Sequence, residues 1–325
     1  GWLRWPPVSG RPGRLLRFGF PSGPMSPKGH VLRALLRRVH PEPLAAKVPE
    51  VAALFWVVKL LTTAGGEATS DYFGDINVLI GGSAELLILG VALTLQLRSR
   101  RYVAWRYWSL AFAIAIFGTG VSDTLHVALG IPYAATTALW AVVLTVTFWR
   151  WHRSEGTLSI HSILTARRER YYWATVFATF ALGTALGDFT ASVVGLGFLP
   201  SAVLFAVVIV LPALAWRLGL DAVAAFWAAY VVTRPLGASF SDYLSKPHAI
   251  SGANFGDGPT ALVLLAATAI PVVCLAVART DIQPVSETGA TTGRPVVPGR
   301  SGRRTRRPGP GPEVPAWPEP DRDGS

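Results

Sequence analysis

Cysteine and methionine are almost absent from this chain of 325 residues: each occurs once, as Cys274 and Met25. A single thiol excludes any disulfide within the chain and any cluster of cysteine metal ligands. Charge is also scarce. Only 15% of residues are charged while 51% are hydrophobic, and the mean hydropathy is +0.39, too apolar for an ordinary soluble domain of this length. Acids are the scarcer sign, 19 against 30 basic residues. There is no HExxH run and no serine–histidine constellation among the few histidines, so an enzyme is not expected, and neither is a cofactor. His126 and His248 are isolated and read as surface histidines in outer loops.

What the chain has is a repeat. Four times a tryptophan is followed fifteen residues later by an aspartate: Trp56 and Asp71, Trp108 and Asp123, Trp173 and Asp188, Trp227 and Asp242. Ten residues after each tryptophan stands a glycine (Gly66, Gly118, Gly183, Gly237), and just before each aspartate a small residue (Ser70, Ser122, Gly187, Ser241). Phe55, Tyr107, Tyr172 and Phe226 precede the tryptophans. Such recurrence marks a tandem array of units of roughly 50 residues.

Each unit offers two apolar stretches near the ~20 residues a helix needs to cross a bilayer: 51–70 and 76–97, 105–122 and 132–149, 172–194 and 198–216, 222–241 and 260–278. The expected fold is all-α, a polytopic membrane protein of eight transmembrane helices in four two-helix repeats (50–98, 102–151, 167–217, 221–279). Basic residues gather before the first helix and after every second one, and the alternate connections are nearly empty of them, Lys246 excepted. By the positive-inside rule both termini and all junctions between units are cytoplasmic, so the four units share one orientation. The membrane domain is expected over 47–280, between a basic arm (1–46) and a Pro/Gly/Arg-rich tail (281–325) expected to be disordered.

In the arm, translation is expected to begin at or near Met25. Residues 31–39 set leucines against arginines, which suits a solvated helical run or the anionic inner leaflet. No apolar segment with a small-residue cleavage site marks a signal peptide. The basic cluster at 303–307 has no aromatic platform, so nucleic acid is not an expected partner. Between the second and third units, His152, Glu155 and His161 are too few to argue for a metal against a plain connector.

At 100° per residue the tryptophan, glycine, small residue and aspartate share one arc of about 140° on each motif helix. Glycine followed four residues later by a small residue allows close helix approach in a membrane. The tryptophans are expected at the cytoplasmic boundary as interfacial anchors, and the aspartates about 22 Å away toward the outer one. A carboxylate near hydrocarbon tends to face a cavity or bundle interior, although a helix-end carboxylate that is hydrated or bonded to nearby backbone is the plainer alternative. Glu67 shares a face with Asp71. Arg234, followed by Pro235, is expected to pair with Glu67 or Asp71 between the first and fourth units, and the proline to expose carbonyls by bending its helix. Lys59 is expected to snorkel to the cytoplasm. The second helices look like packing walls.

The runs KVPE (47–50), GEATSD (66–71), SEGTLSIH (154–161) and TRPLGA (233–238) resemble a bacterial family of membrane proteins of unknown function, built from four tandem two-helix repeats with a characteristic tryptophan. The resemblance implies that architecture and a bacterial cytoplasmic membrane for residues 47–280, and brings no substrate. The leading expectation for function is a secondary transporter or exporter of a small cation, a divalent metal ion included, bound by Glu67, Asp71, Asp123, Asp188 and Asp242 with Arg234 nearby. Oxygen ligands would favour hard ions such as Mg2+ or Mn2+. The alternative is a non-catalytic membrane scaffold.

Overall fold

The computed structural model describes residues 46–283. Met25, the amphipathic run at 31–39 and the basic cluster at 303–307 lie outside the described residues. Within them the chain is helical, with no strand: α1 (Ala53–Ile76), α2 (Val78–Leu97), α3 (Ala104–Asp123), α4 (Tyr133–Glu155), α5 (Ala166–Asp188), α6 (Phe198–Val208), α7 (Val210–Arg217), α8 (Ala222–Ser245) and α9 (Asp257–Ala278). Single π-helical turns, Thr124–Ala128 and Phe189–Val193, extend α3 and α5 directly after Asp123 and Asp188. The helix ends have local causes. The Asn77 side chain accepts from the Leu79 and Ile80 amides at 3.0 and 3.1 Å, and Asp221 does the same for α8 at 2.9 and 3.1 Å, satisfying donors that a helix start leaves open. Gly156, at φ +70°, ends α4 in the left-handed conformation that glycine adopts without strain. Between α6 and α7, Pro212 has no amide for the Val208 carbonyl, and the ladder breaks there.

Among the described residues five segments are long and apolar enough to cross a membrane: α2, α3 with its π turn, α5 with its π turn, α6 with α7, and α9. The polar residues of α1, α4 and α8, among them Lys59, Glu67, Thr136, Thr137 and Arg234, lower the mean hydropathy of those three.

The helices form two shells. In the inner one α1, α3, α5 and α8 touch in cyclic order, with α8 returning to α1. Each repeat glycine packs on the next helix of the ring, at the residue seven positions after that helix's tryptophan. A Cβ built on Gly66 would stand 2.2 Å from the Ala115 Cβ, and one on Gly118 2.9 Å from the Phe180 Cβ. On Gly183 it would stand 2.5 Å from the Arg234 Cβ, and on Gly237 2.7 Å from the Thr63 Cβ. Ser70, Ser122, Gly187 and Ser241 are buried as well. The outer helices lean across the unit boundaries: α2 lies on α3, α4 on α5, α6 and α7 on α8, and α9 on α1. Their outward faces are apolar and open, with Leu79 81%, Leu262 70% and Val277 78% exposed, far more than an aqueous surface ordinarily presents.

Two expectations are corrected at one end of the bundle. Trp108, Trp173 and Trp227 are 3–5% exposed, so these three do not stand on the perimeter as interfacial anchors, whereas Trp56 is half-buried. They pack edge-on against the aromatic rings that precede them, Trp108 on Tyr107 with centroids 5.1 Å apart and Trp227 on Phe226 at 5.3 Å, and rings of neighbouring helices enclose them. The second correction concerns the tail. Asp281 and Gln283 are buried, because residues 281–283 lie against the start of the helical domain. The Glu50 amide donates to the Asp281 carbonyl at 2.8 Å, Gln283 donates to the Pro49 carbonyl at 3.1 Å, and the Tyr102 hydroxyl donates to the Asp281 carboxylate. Asp281→Ala should therefore lower stability in detergent by about 1–3 kcal/mol, the cost of leaving the buried Tyr102 hydroxyl unpaired. Thermal melts of the variant and of Tyr102→Phe/Asp281→Ala check this, since the double variant removes the orphaned group and should recover part of the loss.

Candidate functional site

The axis of the inner ring is closed at mid-depth by a polar knot. Glu67, Thr119 and Thr184, each eleven residues after its unit's tryptophan, converge there. Thr119 and Thr184 donate to the Glu67 carboxylate at 2.7 and 3.2 Å. The fourth unit has Ala238 at that position and supplies Arg234 instead. Arg234 is fully buried and all its nitrogens are used: Nε donates to the Phe180 carbonyl at 3.3 Å, Nη1 to the Thr63 carbonyl at 2.8 Å, and Nη2 to Glu67, to Thr119 and, at 2.7 Å, to Thr184. Gly183 makes room for this side chain, since a Cβ there would stand 2.2 Å from the Arg234 Cγ. Arg234 thus meets Glu67, while Asp71 pairs with Lys246. Pro235 lies inside an unbroken α8, and the carbonyls that serve the guanidinium come from α1 and α5.

On the tryptophan side of the knot sits Lys59. It is 2% exposed and does not snorkel. Its Nζ lies 3.7 Å over the Tyr230 ring and 4.7 Å from Phe180, with no hydrogen-bond partner among the described residues. Lys59 lies just one turn from Phe55 and Trp56, but the aromatic collar closes the route outward. In that collar Tyr107 and Tyr172 share a hydroxyl hydrogen bond, and the Phe55 and Phe226 rings lie 6.2 Å apart.

On the other side the ring opens into a cavity of about 510 Å³. Asp71, Asp123, Asp188 and Asp242 all line it, with Glu67 at its base and Asp75 and Glu85 on its wall; the one basic residue in the lining is Lys246. Lys246 pairs with Asp71 at 2.7 Å and with Asp257 at 3.1 Å. Burial pulls its ammonium down, but the Asp71 and Asp242 carboxylates outweigh that and raise it, so it stays charged. Glu85 is 4% exposed and accepts from Ser70 at 2.7 Å; a Cβ on Gly120 would stand 2.1 Å from its Oε2. Asp242 differs from these. It is 3% exposed and lines the cavity; like Asp123 and Asp188 it has no side-chain hydrogen bond or close ion pair among the described residues, although its charge acts on Lys246.

The five carboxylates expected to share a cation share a cavity but not a coordination shell. Among the described residues no three His, Cys, Asp or Glu side chains come close enough to hold one ion, because each aspartate sits on a different helix of the ring. His152, Glu155 and His161 likewise form no metal group; Glu155 is held by Arg167 at 3.2 Å and Arg168 at 2.9 Å. His126 and His248 bond the loop carbonyls of Ile131 and Gly252, each at 2.8 Å. Sequence reasoning did not place Glu85, Asp75, Lys246 or Lys59 at the site. The available signals were a lone glutamate in the otherwise apolar α2 and a lone basic residue in the outer connections.

Comparison with curated proteins and with solved structures finds no match. Against family models, the chain matches the one described as Repeat of Unknown Function (DUF347) three times in tandem, at residues 106–157, 171–218 and 225–281. These segments hold the second, third and fourth tryptophan units. The chain thus carries three tandem matches to a repeat-of-unknown-function family.

Proposed function

We propose that the chain is a multi-pass protein of the cytoplasmic membrane that carries a small cation. All eight long helical segments cross the bilayer in this reading, α6 and α7 as one, with the four units in the same orientation and both termini cytoplasmic. The collar then faces the cytoplasm and the cavity faces outward. The observation that carries the proposal is the cavity itself. Six acidic side chains besides the Arg234-paired Glu67 stand against one ammonium in the lining, inside a bundle whose perimeter is apolar and where charge is expensive to place, and clefts lined by acids concentrate cations. Arg234 and Glu67 form the floor, and Lys59 with the collar forms the inner barrier that must open for passage. A scaffold would need the glycine seams but gives no role to the unpartnered carboxylate of Asp242.

Flux of monovalent, divalent and organic cations into proteoliposomes tests the reading. Asp188→Asn with Asp242→Asn is the informative variant, because neither carboxylate holds the bundle together, whereas Glu67 and Asp71 do. At least one cation should move with wild type, and the double variant should lose about tenfold or more of that rate, in line with a charge-assisted hydrogen bond of ~1.5–3 kcal/mol. Equal flux in folded wild type and variant, or no flux of any cation, contradicts the proposal.

A further inference from the structure

We infer that the cavity takes an organic ammonium ion, anchored by Asp242, rather than a bare metal ion. This rests on the cation-binding reading above and adds the chemical class. Three observations converge. A dehydrated Mg2+ or Mn2+ requires several oxygens around a point, and no three acidic or imidazole side chains converge among the described residues. The space, about 510 Å³, is instead that of pockets which enclose small organic ligands, roughly 300–1,000 Å³.

The lining supplies the second argument. Between the carboxylates stand the rings of Phe117, Tyr133 and Phe198 and the side chains of Val121 and Ile250, a mixture suited to an ion with an apolar body and one charged end. Aromatic faces attract an ammonium directly. The third argument is the state of the acids. Glu67 is occupied by Arg234, Glu85 by Ser70 and Asp71 by Lys246. Among the described residues Asp123, Asp188 and Asp242 have no such partner, and Asp242, 3% exposed, is the most buried of the three. A buried carboxylate lacking a donor is costly, and an alkylammonium offers N–H donors with a positive charge.

The test is equilibrium binding to the full chain in detergent, by titration calorimetry, with 2-phenylethylammonium as the organic probe and Mn2+ as the metal. Saturable binding of 2-phenylethylammonium to wild type is expected, weakened about tenfold or more by Asp242→Asn, with excess Mn2+ displacing it poorly. Should Asp242→Asn fail to fold, the competition on wild type alone decides. Saturable Mn2+ binding that excludes 2-phenylethylammonium overturns the inference and leaves the carrier reading standing. Binding of 2-phenylethylammonium unaffected by Asp242→Asn in folded protein also overturns it. Binding that depends on Asp242 in a protein that moves no cation across proteoliposomes supports the inference and removes the carrier reading. Absence of binding by either probe overturns the inference, the carrier reading then resting on flux alone.

Discussion

Arg234→Met is expected to destabilise the bundle by about 3–5 kcal/mol, the cost of breaking a buried ion pair from one side. The variant leaves the Glu67 carboxylate at the centre of the ring with two threonine donors and no cation, and it frees the Thr63 and Phe180 carbonyls that the guanidinium now satisfies. Glu67→Leu should cost a similar amount from the opposite side, since Arg234 is fully buried and has no other acid within reach in the knot. Arg234→Met/Glu67→Leu should then recover much of the loss, because replacing both members of a buried pair by apolar groups is often neutral. Melting temperatures of the three variants in one detergent form the cycle. Additive losses would show that the two side chains act separately and would remove the knot as a unit.

Gly66→Val should be nearly as damaging, costing about 3 kcal/mol, at the upper end of ordinary overpacking. The added Cβ meets not only the Ala115 Cβ at 2.2 Å but the Ala115 backbone at 3.1 Å, so α1 and α3 must separate. No rotamer change relieves this. Gly82→Ala is the control, since nothing lies within 4 Å of its built Cβ, and replacing glycine in a helix should slightly raise stability. Gly183→Ala should also be costly, because its added Cβ meets the Arg234 Cβ at 2.5 Å and the Pro235 Cδ at 3.0 Å, and the Arg234 guanidinium is held at every nitrogen. An unchanged melting temperature for Gly66→Val would contradict the ring packing.

Much of this architecture is legible in the sequence because a membrane helix advertises itself. The apolar stretches at 76–97 and 132–149 fall on α2 and α4, and the recurring glycines fall on helix seams because only their spacing lets backbones approach. The face of each motif helix could also be read from its 100° steps. What that face meets could not. Helical phase places Glu67 beside Asp71, but only the cyclic order of α1, α3, α5 and α8 brings Thr119, Thr184 and Arg234 to Glu67 while Asp71 turns to Lys246. Three of the tryptophans were misread for a related reason. Their position near a helix start fits an anchor, yet each follows another aromatic residue, and two adjacent rings on one helix cover too wide an arc for both to face lipid. Lys59 has a stem long enough to reach water in an isolated helix; besides Phe55 of its own helix, the collar that blocks it draws on three others. Glu85 belongs to a helix with a lipid-facing majority, and its single inward charge is outweighed in any average over α2.

The central claim is an outward-facing cavity that favours cations, and charge-selective thiol labelling tests it most directly. Gly74 lines the cavity and has nothing within 4 Å of a built Cβ, so Gly74→Cys in a Cys274→Ser background places one reactive thiol on the cavity wall without crowding. Membrane-impermeant methanethiosulfonates carrying either a trimethylammonium or a sulfonate group are applied to intact cells and to inverted vesicles. The account predicts modification from the outer face alone, with the cationic reagent faster by about tenfold or more, as expected of a cleft lined by one sign of charge. Equal rates for the two reagents, or modification only from the cytoplasmic face, would contradict it.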